Sequence, residues 1–236
     1  MKKSLCLALF LFILSIPLAR GQAALLVLIF GDKVATENFH FSLKLGVNYS
    51  ILHGYEEGEN AASLNFGLVN NIRLTDRLTL TPEFIPVAAR QIKNVPVVTT
   101  GNPDLDDLLG EVEASDRKLS YLDIPVLLNV KLSERFSISL GPKISFLTGA
   151  SDTYKSAPIE DVVLTTEVDI KPAVNNIDIG AAIDLTYILV HPMGGKGINL
   201  FVRYNKGFMD LGKDSENTRI TASMIQLGAT FPFVEK

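Results

Sequence analysis

Apolar and polar residues alternate strictly along several segments of the chain. In YLDIPVLLNVKL, residues 121–132, every even position is aliphatic, whereas the odd positions include Tyr121, Asp123, Asn129 and Lys131. Alternation with a period of two predicts a β-strand with two unlike faces. A soluble β-protein would bury the aliphatic face, whereas a membrane barrel would turn it towards lipid.

The same pattern recurs often enough to predict eight antiparallel strands. The predicted strands are residues 39–50, 62–74, 78–90, 121–132, 136–146, 176–188, 198–208 and 219–233. Three connections are short (75–77, 133–135 and 191–197), and the other four are longer or more polar (51–61, 91–117, 148–172 and 209–218). Short and long connections alternate, which is typical of the periplasmic and extracellular ends of an outer-membrane barrel.

Glycine indicates which face points inward. Six strands carry a glycine in phase with their polar residues, and no aliphatic face contains one: these are Gly46, Gly67, Gly141, Gly180, Gly207 and Gly228. The interior of an eight-stranded barrel is barely wide enough for its side chains, so small residues belong there. The polar faces are therefore predicted to line a narrow lumen.

Charged residues on these polar faces are balanced in sign. Near mid-strand they are Lys44, Arg73, Lys143 and Arg203, together with Glu83, Asp123, Asp178 and Asp184. A Lys or Arg on the lipid face costs about 2 to 4 kcal/mol near the bilayer midplane, whereas opposite charges in a lumen can pair. We therefore predict a lumen ion-pair network of these eight residues. The alternative, with the charges on a solvated outer face, is a soluble exported lipocalin-like carrier with an apolar cavity.

The beginning of the chain predicts export. The sequence starts MKK, continues with an apolar run at 5–18 and then offers small residues for cleavage after Gly21 or Ala23. This pattern predicts a signal peptide over residues 1–23. Residues 24–38 are too few to span a membrane as a helix, and we expect a short helix or extended segment at the periplasmic rim.

Composition excludes two further classes of protein. The one cysteine, Cys6, lies within the predicted signal peptide, so the mature chain is not a disulfide scaffold. The formal net charge is −4, which does not suggest a nucleic-acid partner. Mean hydropathy is +0.25, and the aliphatic strand faces account for part of that value.

One run of sequence carries a resemblance to a known family. LSYLDIPVLLNVKLSERFSISLGPKISFL, with LTDRLTLTPEFIP before it and GINLFVRYNKGF after it, resembles the PorT-like outer-membrane β-barrel family of Gram-negative bacteria, over residues 39–233. The resemblance implies an all-β fold, an eight-stranded antiparallel up-and-down transmembrane β-barrel in the bacterial outer membrane. Some members of that family are linked to protein secretion, so the resemblance does not imply a single activity.

The end of the last strand resembles the signal read by the outer-membrane assembly machinery. In QLGATFPF these residues are Gln226, Gly228, Phe231 and Phe233. The alternative is any last strand that ends in aromatic residues. The resemblance implies that the partners include outer-membrane lipid and the assembly machinery.

Candidate chemistry is sparse, and we predict that the protein is not an enzyme. The three histidines, His40, His53 and His191, lack metal-site spacing, and no G-x-S-x-G motif occurs. Glu83 and Asp123 could form an acid/base pair, but the basic residues around them favour structural ion pairs. No cofactor is predicted.

The long connections are the expected places for a partner. GNPDLDDLLGEVEASD, residues 101–116, is rich in oxygen ligands but lacks EF-hand spacing, so a solvated loop or partner surface is favoured over a Ca²⁺ site. An envelope protein partner would bind through loops 91–117 and 148–172. The protein is thus expected to be an anchor, a secretion-associated factor or a small-solute path. At Pro125 we expect a local bulge or kink, because proline removes one ladder donor.

Overall fold

The computed structural model describes residues 38–55, 57–96, 112–156, 165–193, 196–213 and 219–233. Its elements are β1 (Phe39–His53), β2 (Glu59–Arg73), β3 (Leu78–Pro96), β4 (Val112–Lys131), β5 (Phe136–Ser156), β6 (Thr165–Asp169), a 3₁₀ turn (Lys171–Ala173), β7 (Ile177–Met193), β8 (Lys196–Gly207) and β9 (Thr221–Phe233). The predicted signal peptide and almost all of the segment 24–38 lie outside the described residues.

Eight of these strands close an antiparallel barrel, which confirms the predicted fold class. Consecutive strands pair in the order β1, β2, β3, β4, β5, β7, β8, β9, and β9 returns to pair with β1. Closure is in full register, with Phe41 opposite Phe233 and His53 opposite Thr221. The closed ladder leaves no free edge along the barrel wall, as a membrane-spanning sheet requires.

The strands extend further than the sequence predicts, most of all at the end that carries the long connections. We call one end of the barrel the turn end: it carries the short connections, the start of β1 and the end of β9. The opposite end is called the loop end. At the loop end β4 begins at Val112 and β5 continues to Ser156, inside the predicted loops 91–117 and 148–172. The short strand β6 pairs with β5 residues 151–155, so this predicted loop contains a strand that adds to the wall without joining the closed ring.

Two short turns are built in the same way. Thr75 Oγ1 accepts hydrogen bonds from the N–H groups of Arg77 and Leu78 at 3.3 and 3.1 Å. Ser133 Oγ accepts from Arg135 N and Phe136 N at 3.3 and 3.1 Å. Each hydroxyl replaces a backbone partner within the turn, which explains why the tripeptides TDR and SER reverse the chain tightly.

The faces of the strands are oriented as the glycine pattern predicts. Lys44 is 1% exposed and Asp178 is fully buried, whereas Leu64 is 72% and Leu140 60% exposed on the outside. An exposed aliphatic belt around a charged interior is the arrangement of a membrane barrel. The lipocalin-like alternative requires the opposite arrangement and is not supported.

Inward glycines allow Phe201 to fill the lumen. Gly46 and Gly228 face each other across β1 and β9, and a Cβ added to them would lie 3.2 and 2.9 Å from atoms of the Phe201 ring. Phe201 is accordingly 4% exposed, and Lys44 Nζ lies 4.1 Å from its ring centroid. Small residues on one wall thus make room for a large residue from the neighbouring wall.

Gly228→Ala should destabilise the barrel by about 1 to 3 kcal/mol, the usual cost of overpacking. The added Cβ would lie 2.1 Å from the carbonyl oxygen of Leu45, and that backbone is held in the β1–β9 ladder. Gly149→Ala is the matched control, since a Cβ there would meet nothing within 4 Å. Urea unfolding of both variants in lipid vesicles measures the difference, and equal midpoints would contradict the packing argument.

Pro125 does not introduce the bulge expected from the sequence. From the pair Pro125–Lys143 to the pair Leu128–Leu140, each strand advances by the same number of residues, so no residue is inserted between these pairs. Register shifts occur instead nearer the loop end. One lies between Ser120 and Tyr121 in the pairing of β4 with β5, and the other lies between Ile85 and Ala88 in the pairing of β3 with β4. The second of these shifts determines the composition of the lumen.

Candidate functional site: the occluded lumen

Four charged side chains from four strands form the first lumen cluster. The NH1 and NH2 groups of Arg203 donate to the Glu83 carboxylate at 2.7 and 2.6 Å, and its NH2 and Nε donate to Asp184, the former at 2.6 Å. Lys44 Nζ donates to both Glu83 oxygens at 3.2 Å and lies 3.8 Å from Asp184 Oδ2. None of the four is more than 5% exposed. Two cations thus neutralise two carboxylates.

A second cluster lies nearer the loop end and is centred on Arg90. Its NH2 donates to Asp123 Oδ1 at 3.2 Å, to Ser145 Oγ at 3.0 Å and to Asp178 Oδ2 at 3.3 Å. Lys143 Nζ lies 3.8 Å from Asp123 Oδ2. The acceptors form a row because Asp123, Ser145 and Asp178 are opposite one another across β4, β5 and β7. This cluster is also neutral, and its five side chains are at most 2% exposed.

Sequence reasoning missed Arg90, the centre of the second cluster. Strict alternation from Glu83 places even-numbered residues of β3 on the lipid face. The register shift between Ile85 and Ala88 reverses the phase, so that Arg90 and Ile92 point inward. The available signal was Pro86 followed by the unalternating VAAR, which is typical of a bulge. The guanidinium of Arg90 also stacks on Tyr121, 3.8 Å from the ring centroid.

Arg73 is the incorrect member of the predicted network. It has the inward phase, but it is the last residue of β2 and lies at the turn-end rim, where its side chain is 38% exposed. Its NH2 donates to Asp76 Oδ1 at 2.6 Å within the turn. The other seven predicted residues are buried in the two clusters. With Arg90 in place of Arg73, four cations face four anions.

Glu83 and Asp123 lie in different clusters. Glu83 is paired with Lys44 and Arg203, whereas Asp123 is paired with Arg90 and Lys143. The structure therefore does not bring these two carboxylates together as an acid/base pair. Each is used in local charge neutralisation.

A cavity of about 170 Å³ lies between the first cluster and the turn end. Short hydroxyl and amide side chains line it, and several bond one another: Asn129 Nδ2 donates to Ser137 Oγ and Ser139 Oγ at 2.9 and 2.8 Å. His40 also lines this cavity. The cavity ends at Lys44, Glu83 and the neighbouring charged side chains, so it does not cross the barrel.

An apolar plug closes the loop end. Its buried side chains are Leu52, Ile92, Leu119, Tyr121, Leu147, Ala150, Val174, Leu211 and Ala222. Val174 follows the 3₁₀ turn and bridges to Gly212, and Asn175 Nδ2 donates to the carbonyl oxygens of Asp210 and Gly212 at 3.0 Å. Apolar side chains therefore replace the charged clusters across most of the lumen at the loop end.

A cavity of about 140 Å³ lies beside the plug. Arg117 lines it and donates to both oxygens of Asp152 at 2.7 and 2.5 Å, while its NH1 donates to Tyr55 Oη at 2.7 Å. Burial raises the pKa of the Tyr55 phenol, against the opposing effect of the nearby guanidinium. The Asp152 carboxylate therefore already neutralises the Arg117 side chain that lines this cavity.

The residues of the predicted assembly signal lie along β9. Gln226 is 1% exposed and stands opposite Arg203, while Gly228 packs against β1. Phe231 and Phe233 are at the turn end, paired with Leu43 and Phe41. Their role in assembly stays a prediction.

The described part of the chain has neither a membrane-spanning helix nor a metal-binding group of side chains. Within the described ranges, no helix has the length and apolarity needed to cross a bilayer. Across the same ranges, no three His, Cys, Asp or Glu side chains are grouped to hold a metal ion. His53 lies at the loop end and contacts Ser223, and His191 is exposed near the turn end.

Comparison with known proteins gives a family and a set of similar folds. Residues 30–212 match the model of a family described as outer membrane protein beta-barrel domain, and no curated protein matches the chain. Neisserial surface protein A is 11% identical, with a TM-score of 0.47 over 84% of this chain and 100% of its own. Ail, the attachment invasion locus protein of Yersinia pestis, is 13% identical, with a TM-score of 0.43 over 84% and 100%. OprG from Pseudomonas aeruginosa is 13% identical, with a TM-score of 0.40 over 86% and 99%. At these identities the likeness concerns the fold alone.

Proposed function

Since the chain belongs to the outer membrane protein beta-barrel domain family, it is a β-barrel protein of the bacterial outer membrane, and we propose that it is a non-enzymatic, non-conducting anchor. In this function the barrel holds the protein in the membrane, and the loop end engages a partner in the cell envelope. Export by removal of residues 1–23, after Gly21 or Ala23, is part of the proposal, as is a secretion-associated role of the PorT-like kind.

One observation carries the proposal: side chains fill the middle of the lumen. Eight buried charged residues form two neutral clusters there, and the apolar plug follows towards the loop end. A hydrated ion would have to separate charges that are already paired and desolvated. The cavities on either side are of about 170 and 140 Å³, and charged side chains separate them. These features favour an anchor over a small-solute path.

Conductance tests this proposal directly. The full chain reconstituted into planar bilayers should give no current steps above those of the protein-free membrane, because its lumen is filled. A sixteen-stranded porin in the same bilayer is the positive control, since barrels of that size leave an aqueous channel. Reproducible steps from the heat-modifiable, folded protein would contradict a non-conducting barrel and support a solute path.

The partner half of the proposal needs a separate experiment. The protein is purified from its native envelope as the full chain and as a variant with residues 97–111 replaced by a short Gly-Ser linker. A specific partner should be recovered with the full chain and lost with the variant, while both remain heat-modifiable. Recovery of the same partner with both chains would assign binding elsewhere than this connection.

A further inference from the structure

Three polar side chains converge on one hydroxyl on the outer surface of the barrel. Ser223 Oγ lies 3.0 Å from His53 Nε2, 3.3 Å from Tyr204 Oη and 3.2 Å from Lys206 Nζ. The four residues come from β1, β8 and β9, and the register brings them together because Ser223 stands opposite both Ile51 and Lys206. We call these four residues the outer polar cluster.

The outer polar cluster lies near the loop-end border of the apolar belt. Along β9 towards the loop end, the outward residues Leu227 and Ile225 are followed by the outward residue Ser223. On β8 the apolar Leu200 and Val202 are followed by Tyr204 and Lys206. The apolar band of such barrels is roughly 25 Å tall and is bordered by aromatic residues. Two exposed aromatic residues, Tyr204 and Phe208, flank Lys206 along the chain. The cluster therefore lies at the headgroup level of the loop-end leaflet, which is the outer leaflet when the long loops are extracellular.

Lys206 has spare donor capacity at this level. Its ammonium carries three N–H groups, and Ser223 accepts one of them. Among the described residues no carboxylate lies within ion-pairing distance of Lys206. On β7 its register partner is the small Ala181. A second cation, Arg219, donates to the carbonyl oxygen of Phe208 at the same edge.

Three features together indicate the ligand. The site presents cationic and hydroxyl donors, it borders hydrocarbon, and its lysine lacks an anionic partner within the described chain. We propose that His53, Tyr204, Lys206 and Ser223 bind the phosphate group of an outer-leaflet lipid. The acyl chains of that lipid would lie along the belt below, against Val202 and Ile225, which are 48% and 41% exposed.

The contact between Ser223 and His53 does not form a nucleophile for a reaction on that lipid. Ser223 is 2% exposed, because Tyr204, Lys206 and His53 cover it. An attacking hydroxyl needs access to the substrate carbonyl at about 3 Å. Ser223 instead holds the tips of the three side chains together, and a phosphate would reach Lys206, Tyr204 and His53 from outside.

Lipid binding to the full chain in detergent, counted by nondenaturing mass spectrometry, tests the site. The probe is dimyristoyl phosphatidic acid, and dimyristoylglycerol is the lipid with the same chains and no phosphate. Lys206→Gln should weaken phosphatidic acid binding about fivefold, the effect of one basic residue near a membrane surface. Binding of the diacylglycerol should stay the same, and Lys206→Arg should restore phosphatidic acid binding.

Lys118→Gln is the matched control. Lys118 is exposed, with the outward phase at the loop end of β4, and it belongs to no such cluster of polar side chains, whereas Lys206 is partly buried. Equal loss in Lys118→Gln and Lys206→Gln would overturn the proposal in favour of general surface charge, and no loss in Lys206→Gln would overturn it outright. Inorganic phosphate that displaces the lipid at equal concentration would show that the site binds the free anion, and would overturn the lipid assignment.

Discussion

Arg203→Met should lower the free energy of unfolding by about 3 to 5 kcal/mol, the cost of removing one partner from a buried ion pair. Arg203 donates to both Glu83 and Asp184. Without it, Lys44 alone would face two desolvated carboxylates. Unfolding in urea, with protein folded into lipid vesicles, gives the free energy by linear extrapolation.

Arg73→Met makes the same chemical change at the rim and is the control for Arg203→Met. Arg73 pairs with Asp76 in an exposed turn, and such pairs contribute about 0 to 1 kcal/mol. Arg203→Lys adds a further comparison, because it keeps the charge but cannot span two carboxylates with a planar fork. Similar losses in Arg203→Met and Arg73→Met would refute the assignment of Arg203 to a buried network.

The faces of the strands could be predicted because alternation and glycine placement depend on the same local physics. Side chains alternate across a strand, and the closest approaches of neighbouring walls require glycine. At Gly141, for example, a Cβ would lie 2.0 Å from the carbonyl oxygen of Val126. Seven of the eight proposed lumen charges follow from that phase alone. Arg73 does not belong to the lumen network. The alternation of side chains shows which face of the strand a residue lies on, but not how deep it lies along the barrel axis.

Arg90 could not be found by phase, because bulges reset it. A single inserted residue between Ile85 and Ala88 moves the side chains that follow, as far as Ile92, to the other face. Strand β5 shows the same effect, with one inserted residue between Leu147 and Gly149, opposite Tyr121 and Ser120. Pro125 was expected to mark a bulge, but the register is unchanged there. The register shifts lie closer to the loop end.

The loop end was missed because its composition does not alternate between apolar and polar. The segment VEASDRKLS at the start of β4 is mostly polar on both faces, yet it pairs with β5 from Val112 onward. Beyond the apolar belt both faces of a strand can meet water, so the period-two signal disappears. The plug residues Val174 and Leu211 lie outside the long strands, and strand periodicity has no bearing on them.

Asp123→Leu should destabilise the barrel by about 3 to 5 kcal/mol, because Arg90 and Lys143 would then share Asp178 alone. The reason is the unbalanced charge rather than the lost contacts, since Arg90 keeps Ser145 and Asp178. Lys143→Met in the same chain restores neutrality and leaves Arg90 with Asp178. The double variant should therefore lose less free energy of unfolding than the sum of the single variants, by about 0.5 to 3 kcal/mol. Strictly additive losses would mean that Asp123 and Lys143, 3.8 Å apart, do not stabilise each other, and that the lumen is held by packing instead of paired charge.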